Sequence, residues 1–400
     1  MQAWEHPTLQ ALPGTGPVPQ LYDSASDAVV AATSTRGVVS LYVCGITPYD
    51  ATHLGHAATY LAFDTLLRLW RDAGYEVRYA QNTTDVDDPL LERAARDGVD
   101  WRVLAREQTD GFRRDMELLR IIPPDHFVAV TEVIEQIADA VSRLLDTGTA
   151  YRVEGDIYFD GAADSAPWFL GQESGLDRAT MLELSAERGG DPTRAGKRDP
   201  LDPLLWRGER DGEPSWASVL GRGRPGWHIE CSVIATRYLP TPLTVNGGGS
   251  DLIFPHHEYS AGHAAALTGQ PLAKIYAHGG MIGFQGEKMS KSLGNLVLVS
   301  TLIESGADPA AIRLALLDGH YRADREWTHD LLTAATDRLA RWRAWSTSTV
   351  GDSSIDDLRA VLANDLDTVG ALAVVDGWVE RKPATVSRVN AIDALLGVRL

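Results

Sequence analysis

The chain has 400 residues and a formal net charge of −18, with 55 acidic residues against 37 basic ones. Nucleic-acid-binding proteins normally present a basic field, because phosphate contacts dominate their affinity, so this charge disfavours a nucleic-acid partner. No apolar run reaches the length of about 18 residues that a membrane span requires, and the amino terminus lacks the basic start and apolar core of a signal peptide. With two cysteines in the whole chain, the composition favours a cytoplasmic protein without a membrane partner.

The first quarter of the chain predicts an arm followed by an α/β unit. Residues 1–36 are rich in Pro, Gly and Ala and predict an irregular arm. Strand and helix patterns alternate from 37 to 115, with a strand at 38–43, a helix at 57–70 and a second strand at 76–80. Such alternation indicates a parallel α/β sheet.

The rest of the chain predicts an insertion, a return to the sheet and a helical end. Residues 116–221 have mixed helices and a polar stretch, and we interpret them as a connective insertion. Strand patterns resume within 222–295, near 243–245 and 274–277, and residues 296–400 are mostly helical. The predicted fold is therefore a Rossmann-like catalytic domain split by an insertion, with ligands at the C-terminal ends of its strands.

A histidine pair lies between the first predicted strand and the helix that follows it, in His53-Leu54-Gly55-His56. A strand–turn–helix of this kind directs backbone N–H groups and a helix N-terminus towards phosphate oxygens. Imidazoles one helical turn apart can donate hydrogen bonds to the same phosphates. Chance occurrence of a polar loop is the alternative for this motif alone.

A lysine-rich loop, Lys288-Met289-Ser290-Lys291-Ser292, lies far from the histidine pair in the sequence. Two ammonium groups and two hydroxyls in a short loop suit a polyphosphate whose charge shifts during a reaction. The whole chain has five lysines, and Lys288 and Lys291 are two of them. Their placement therefore favours a function in catalysis.

Both cysteines lie in motif-rich stretches: Cys44 ends the first strand, and Cys231 precedes a glycine-rich segment that leads to His256. Thiolates with an imidazole are a ligand set that zinc prefers, and a catalytic zinc ion keeps three protein ligands and one open position. Two ordinary buried cysteines are an alternative, and a disulfide is another. The spacing alone does not decide between them, because the residues do not form a local CxxC pair.

Four blocks together resemble class I aminoacyl-tRNA synthetases, and among these the cysteinyl-tRNA synthetases. They are Cys-Gly-x-Thr at 44–47, Arg-Pro-Gly-Trp-His-Ile-Glu-Cys-Ser at 224–232, Gly-Gly-Gly-Ser-Asp-Leu-x-Phe-Pro-His-His-Glu at 247–258, and Lys-Met-Ser-Lys-Ser-Leu-Gly-Asn at 288–295. In that family a zinc ion binds the sulfur of the substrate cysteine. The resemblance implies that Cys44, Cys231 and His256 are its ligands here.

The chain departs from the cysteinyl-tRNA synthetases in three ways. Ser260 stands where that family has a further zinc-binding glutamate, so three protein ligands are the expectation. Only 105 residues follow Asn295, which leaves little room for an anticodon-reading domain. The residues at 42–52 and the motif Glu-Arg-Gly-Gly-Asp-Pro at 187–192 resemble the corresponding segments of the cysteine:glucosaminyl-inositol ligases of mycothiol biosynthesis. These ligases join cysteine to an amino-sugar instead of tRNA.

The resemblance also assigns contacts with the substrate and the adenylate. For the residues assigned to these contacts, the alternative roles are turns, helix packing and ordinary core positions. We expect Asp85, Asp87 and Asp88 to have turn and helix-cap roles, and we expect His228, His257, His263 and His278 to support the site or the core. The assigned residues are Cys44, Gly45, Ile46, Thr47, Thr59, Asn82, Thr83, Thr84, Trp227, Gly249, Ser250, Asp251 and Ile282.

The expected reaction follows from that resemblance. The carboxylate of L-cysteine attacks the α-phosphate of ATP, bound with Mg²⁺, while His53, His56, Lys288 and Lys291 stabilise the phosphate charge. The amine of glucosaminyl-inositol then attacks the cysteinyl-adenylate and forms an amide. No residue identifies itself in the sequence as the base for that amine. The alternatives are a compact cysteinyl-tRNA synthetase and a catalytically silent relative.

Overall fold

The computed structural model describes residues 1–163, 165–289 and 294–400. The strands that it describes are, in chain order, β1 (Gln20–Asp23), β2 (Ala28–Ala31), β3 (Val38–Ile46), β4 (Glu76–Thr83), β5 (His126–Ala129), β6 (Ala150–Val153), β7 (Asp156–Phe159), β8 (Leu204–Gly208), β9 (Gly223–Pro225), β10 (Val245–Gly249), β11 (Tyr276–Gly279), β12 (Ile282–Phe284), β13 (Glu287–Lys288) and β14 (Arg325–Trp327).

The α-helices of the described residues occupy the connections between these strands and most of the C-terminal quarter. They are α1 (Leu54–Asp72), α2 (Asp88–Asp97), α3 (Trp101–Leu118), α4 (Ile134–Asp146), α5 (Arg178–Glu187), α6 (Trp227–Tyr238), α7 (Glu258–Thr268), α8 (Val299–Glu304), α9 (Pro309–Leu317), α10 (His329–Ser346), α11 (Asp356–Ala363), α12 (Thr368–Arg381) and α13 (Val386–Leu396). Within the described part of the chain, no helix combines the length and the apolar character needed to cross a membrane.

The central sheet has five parallel strands in the order β11-β10-β3-β4-β5. Its middle strand β3 is buried over almost its whole length, as expected for a parallel strand covered on both faces. Because all five strands run the same way, their C-terminal ends lie along one edge of the sheet. This edge carries Cys44, Asn82, Gly249 and Gly279, and it confirms the predicted Rossmann-like arrangement.

A separate antiparallel sheet, in the order β6-β7-β8-β9, forms the insertion together with α5. The boundaries differ from the expected ones, since β5 of the central sheet falls within 116–221 and β9 of the insertion sheet falls within 222–295. The arm 1–36 is also more regular than expected, because β1 and β2 pair as a hairpin. The carboxylate of Asp23 in this hairpin accepts a hydrogen bond from the backbone N–H of Tyr276 (2.8 Å).

The C-terminal helices pack on α1 through a buried charge cluster. Arg68 Nε lies 2.7 Å from Asp64 Oδ2, and Arg313 forms a second ion pair with the same carboxylate. Burial alone would raise the pKa of Asp64, but the two guanidinium groups and their hydrogen bonds hold it below its ordinary value. Arg313 also donates to the carbonyl of Leu396 (2.6 Å), so the cluster fixes α13 against the helix that begins at the histidine pair.

Candidate active site

Cys44, Cys231 and His256 meet in the interior below the C-terminal edge of the sheet. Cys44 lies near the end of β3, Cys231 in α6, and His256 just before α7; at most 6% of each residue is exposed. The two Sγ atoms are 3.9 Å apart, and His256 Nε2 is 3.2 Å from Cys231 Sγ. All three ligand atoms lie within 4.8 Å of one another. The two thiols are free and too far apart for a disulfide bond of about 2.05 Å.

The donor set fits a metal ion. Two sulfurs and one imidazole nitrogen at these distances match the composition of zinc sites that keep an open position. Burial opposes ionisation of Cys231, yet its contacts with Cys44 and His256 hold the pKa of that thiol well below its ordinary value. The chain thus has a possible metal-binding cluster where the resemblance implied one.

Further histidines surround the three candidate ligands. His228 Nδ1 lies 3.0 Å from His256 Nδ1, and His257 Nε2 lies 3.2 Å from Cys44 Sγ. His257 Nδ1 in turn lies 2.7 Å from His278 Nε2. Partners of this kind fix the orientation of metal ligands. The contacts of His228, His257 and His278 agree with the expectation that these histidines support the site.

Ser260 does not reach the candidate ligands. Its hydroxyl donates to the backbone carbonyl of His228 (3.1 Å). This contact occupies the hydroxyl at the position where the cysteinyl-tRNA synthetases have a glutamate. The geometry therefore agrees with a site of three protein ligands.

Asn82 connects the ends of β3 and β4. Its side-chain oxygen accepts hydrogen bonds from the N–H of Gly45 (2.8 Å) and the hydroxyl of Tyr42 (3.0 Å), and its amide donates to Thr84 Oγ1 (3.1 Å). A Cβ atom on Gly45 would lie 1.6 Å from the carbonyl oxygen of Asn82, so only glycine fits there. The carbonyl of Ile46 accepts from the N–H of Thr84 (2.9 Å). These contacts hold the two strand ends together above the thiols.

Other predicted residues of this wall lie beside that junction. Thr83 Oγ1 donates a long hydrogen bond to the carbonyl of Ile46 (3.4 Å). Thr47, directly after Ile46, is half-buried. Tyr60, which the sequence did not single out, donates from its hydroxyl to the carbonyl of Cys44 (3.1 Å). No local pattern marks Tyr60, since its position in α1 also suits a core residue. The ring centroid of Trp227 lies 4.3 Å from that of His256.

The histidine pair forms the beginning of α1. His53 is the N-cap and accepts a hydrogen bond from the N–H of Gly55 (3.1 Å), while its ring stacks on that of His56 with centroids 3.8 Å apart. A Cβ on Gly55 would approach His53 Cε1 to 2.8 Å, so a larger residue there would displace the His53 ring. Both imidazoles thus lie together at the helix N-terminus, where an anion is favoured.

The segment after the lysine loop is attached to the histidine pair. Leu54 donates its N–H to the carbonyl of Val297 (3.0 Å), and Val299 donates to the carbonyl of Thr52 (3.2 Å). Lys291 and the side chain of Lys288 lie outside the described residues. The backbone on the C-terminal side of that loop is nevertheless joined to the start of α1.

Side-chain oxygens lie close to the glycines that end β10 and β11. A Cβ on Gly249 would lie 2.6 Å from Asp251 Oδ1, and one on Gly279 would lie 3.5 Å from Thr59 Oγ1. Ser250 and Asp251 form a short helical turn after the strand. Ile282 is buried in β12, one strand further along the chain. Gly249, Ser250 and Asp251 therefore lie at the C-terminal edge of the central sheet, whereas Ile282 belongs to the separate sheet of β13, β12 and β14.

The aspartates after β4 make structural contacts, and Asp87 has the helix-cap role that the sequence indicated. Asp87 is the N-cap of α2 and accepts from the N–H of Asp88 (2.8 Å), while Asp88 pairs with Arg207 (2.9 Å). Asp85 accepts from the N–H of Thr131 (3.0 Å). None of the three belongs to a metal-binding cluster among the residues that the structure covers.

Comparisons with known proteins agree with this geometry. Residues 30–337 match the family of class I (C) tRNA synthetase catalytic domains. Methionyl-tRNA synthetase from Mycobacterium tuberculosis, in complex with methionyl-adenylate, superposes over 90% of this chain and 82% of its own with a TM-score of 0.58 at 19% identity. A leucyl-tRNA synthetase from Agrobacterium radiobacter covers 91% and 83% with a TM-score of 0.57 at 14% identity. Fold and site thus define a class I synthetase catalytic domain.

Curated relatives narrow the family further. The protein of Clavibacter michiganensis named L-cysteine:1D-myo-inositol 2-amino-2-deoxy-alpha-D-glucopyranoside ligase is 61% identical to this chain. The alignment covers 100% of this chain and 99% of the relative. Proteins of the same name from Nakamurella multipartita and Nocardia farcinica are 56% and 55% identical over the full length of both chains. The chain belongs to this family of ligases within the class I synthetase-like proteins.

Proposed function

We propose that the protein is an ATP-dependent ligase that activates L-cysteine as cysteinyl-adenylate and transfers it to the amine of glucosaminyl-inositol. AMP and pyrophosphate are released, and a carbon–nitrogen bond forms as an amide. The observation that carries the cysteine half is the buried cluster of Cys44, Cys231 and His256, which Tyr60 joins to the helix that begins at the histidine pair. The identity of the acceptor, glucosaminyl-inositol, is inferred from the names of the relatives that align over the full length of the chain.

The cluster is proposed to hold one zinc ion through Cys44, Cys231 and His256. When bound, the ion supplies a coordination position for the sulfur of L-cysteine as a thiolate, which a serine hydroxyl fills poorly. The protein contributes the orientation of the ligands: His228 and His257 contact His256 and Cys44, and the Ser260 hydroxyl is occupied elsewhere. Discrimination by an apolar pocket alone would be weak between such isosteres.

The amino and carboxylate groups of cysteine are assigned to the wall around Asn82. Thr83 and Thr84 offer hydroxyls there, and the backbone of 44–47 runs alongside. Trp227 bounds the space next to His256 and limits the size of the side chain that fits. These roles are proposals that rest on the shared position at the edge of the sheet.

The phosphates are assigned to the start of α1. His53, His56 and the helix N-terminus would stabilise the developing charge, and Lys288 and Lys291 would do so from the lysine loop. ATP would enter with Mg²⁺. Because the attacking group is already a carboxylate, this step needs no general base. The adenosine is assigned to Thr59, Gly249, Ser250, Asp251 and Ile282.

The partners are therefore small molecules: ATP, L-cysteine and glucosaminyl-inositol. The net charge of −18 argues against tRNA, and the alternative of a compact cysteinyl-tRNA synthetase is not favoured by the relatives. A cytoplasmic location belongs to this proposal, since ATP and reduced cysteine are the required substrates.

Product analysis by mass spectrometry tests the proposal. The purified protein is incubated with ATP, magnesium and L-cysteine, with glucosaminyl-inositol in one sample and cysteine-accepting tRNA in another. We expect a cysteinyl amide of the amino-sugar, AMP release and uncharged tRNA. Charged tRNA without a sugar product would support the synthetase instead, and no ATP–pyrophosphate exchange with cysteine would point to a silent relative.

A further inference from the structure

The segment 187–192 (Glu-Arg-Gly-Gly-Asp-Pro) makes a sharp turn after α5 that only glycines permit. Gly189 has a φ of +84°, in the region that other residues rarely adopt. A Cβ on Gly190 would lie 2.2 Å from Ser185 Oγ and 2.6 Å from the Ser185 carbonyl oxygen. The chain is therefore forced away from the helix axis directly after Arg188.

Asp191 attaches this turn to the sheet of the insertion. Its Oδ2 accepts a hydrogen bond from the hydroxyl of Tyr158 in β7 (2.5 Å), and its Oδ1 lies 2.8 Å from Lys197 Nζ. The Lys197 side chain is almost fully buried, so it lacks the freedom of a surface lysine. These contacts fix the backbone from which Arg188 projects.

Arg188 reaches from the insertion to the edge of the central sheet. Its Nη1 donates to the carbonyl of Asp251 (2.6 Å) and to the carbonyl of Phe254 (2.5 Å). Phe254 has extended dihedrals (φ −135°, ψ 136°) between helical turns, which takes its carbonyl out of the helical hydrogen-bond pattern. Hydrogen bonds from a charged donor are about twice as strong as neutral ones, so one guanidinium holds both ends of this turn.

The turn held in this way carries two proposed functions of the active site. Asp251 is assigned to the adenosine, and His256, two residues after Phe254, is a candidate metal ligand. We infer that Arg188 is a positioning residue that fixes the nucleotide-binding turn and the metal ligand relative to each other, which gives the insertion a role in cysteine activation. This inference rests on the proposed function of the same site.

Three variants test it: Arg188→Ala, Arg188→Lys and the control Arg178→Ala. Arg178 belongs to the same helix region, but it pairs with Asp199 on an exposed surface (2.7 Å) and does not touch the turn. Two properties are measured: the KM values for ATP and cysteine in ATP–pyrophosphate exchange, and the affinity for Co²⁺ by its visible absorption without substrates. The second measurement does not depend on activity.

We expect Arg188→Ala to raise the KM for ATP and to weaken Co²⁺ binding, each about tenfold, as for other residues that orient metal ligands. Arg188→Lys should recover part of both losses, because an ammonium group can donate to two carbonyls. Arg178→Ala should behave as the parent protein. If Arg188→Ala fails to fold, Arg188→Lys decides the question, with a partial loss of both properties expected.

The inference would be overturned if the folded Arg188 variants kept both the KM for ATP and the Co²⁺ affinity within about twofold of the parent values. Equal losses in Arg178→Ala would overturn it as well, since they would reflect the insertion in general. Failure of the parent protein to exchange pyrophosphate would count against the proposed function alone, because the Co²⁺ titration still compares the Arg188 variants with the parent.

Discussion

The Sγ atoms of Cys44 and Cys231 lie 3.9 Å apart although 187 positions separate the two residues in the chain. Cys44 belongs to the first half of the split domain, and Cys231 follows the insertion in α6. Their meeting depends on the parallel pairing of β3 with β10, which brings the two halves into one sheet. A metal ion held between these thiols would therefore join both halves of the catalytic domain.

Replacement of Cys231 by alanine should abolish metal binding and the selectivity for cysteine over serine. The variant keeps one thiol and one imidazole, which is too few protein ligands for a stable site. Zinc content by elemental analysis and adenylation rates with both amino acids are the measurements. Ser260→Ala is the matched control, because its hydroxyl bonds to a backbone carbonyl instead. Retained zinc and full activity in Cys231→Ala would remove it from the ligand set.

Lys291→Ala should lower the rate of adenylation more than it weakens cysteine binding. An ammonium group near the polyphosphate stabilises charge that develops as pyrophosphate leaves, an effect of roughly 10²-fold on the rate. Pre-steady-state measurement of adenylate formation separates the rate from the binding constant. Lys274→Ala, which removes an exposed lysine elsewhere, serves as the control. An unchanged rate in Lys291→Ala would exclude the proposed role.

Much of the fold was predictable because the sequence motifs lie directly after the predicted strands. A run such as 38–43 followed by a helix pattern fixes a parallel unit, and parallel strands place their C-terminal residues at one edge. The observed β3 continues to Ile46 and α1 begins at Leu54, earlier than the predicted 57. These extensions depend on Asn82 and on the N-cap contact of His53, which local patterns do not reveal.

Long-range contacts account for what the sequence did not predict. The hairpin of β1 and β2 has four-residue strands, too short for a period-2 signal, and it is held by the contact between Asp23 and Tyr276. His256 and His257 are adjacent, and only the backbone turn directs the first towards Cys231 and the second towards Cys44. Arg188 reaches its two carbonyls across 63 and 66 positions of sequence.

Gly45→Ala should prevent adenylation while leaving most of the fold intact. The added methyl group would meet the carbonyl oxygen of Asn82 at 1.6 Å, so the ends of β3 and β4 must separate beside Cys44. ATP–pyrophosphate exchange and a thermal melt are the measurements. Gly111→Ala in α3 is the control; its Cβ meets no atom within 4 Å, and alanine in a helix stabilises by about 0.5–1 kcal/mol. Parent-like exchange by Gly45→Ala would show that this junction tolerates displacement.

Asp64→Asn should destabilise the protein by about 3–5 kcal/mol, the usual cost of breaking a buried ion pair. The amide would leave the guanidinium groups of Arg68 and Arg313 buried without their counter-charge. Urea unfolding measures the change. Glu76→Gln breaks the exposed pair with Arg78 and should cost less than about 1 kcal/mol. Similar unfolding midpoints for the two variants would contradict a structural role for the cluster.

Asp115 should make the free energy of unfolding depend on pH. This residue of α3 is 5% exposed, and burial raises the pKa of its carboxyl to about 7, from 3.8. The folded state thus keeps the proton after the unfolded chain has lost it. The stabilisation is complete below pH ~4 and is lost as the pH rises through about 7.

Asp115→Asn cannot ionise and should lack this contribution. Relative to the variant, the parent protein should lose on the order of 2 kcal/mol between pH ~4 and ~7.5, given about 1.4 kcal/mol for each unit of pKa shift and partial screening by solvent. Chemical unfolding at several pH values provides the two curves. Asp110→Asn, an exposed change in the same helix, should follow the parent. Parallel curves for Asp115→Asn and the parent would mean that folding leaves the pKa of Asp115 unchanged, because a carboxylate with the same pKa in both states contributes no slope.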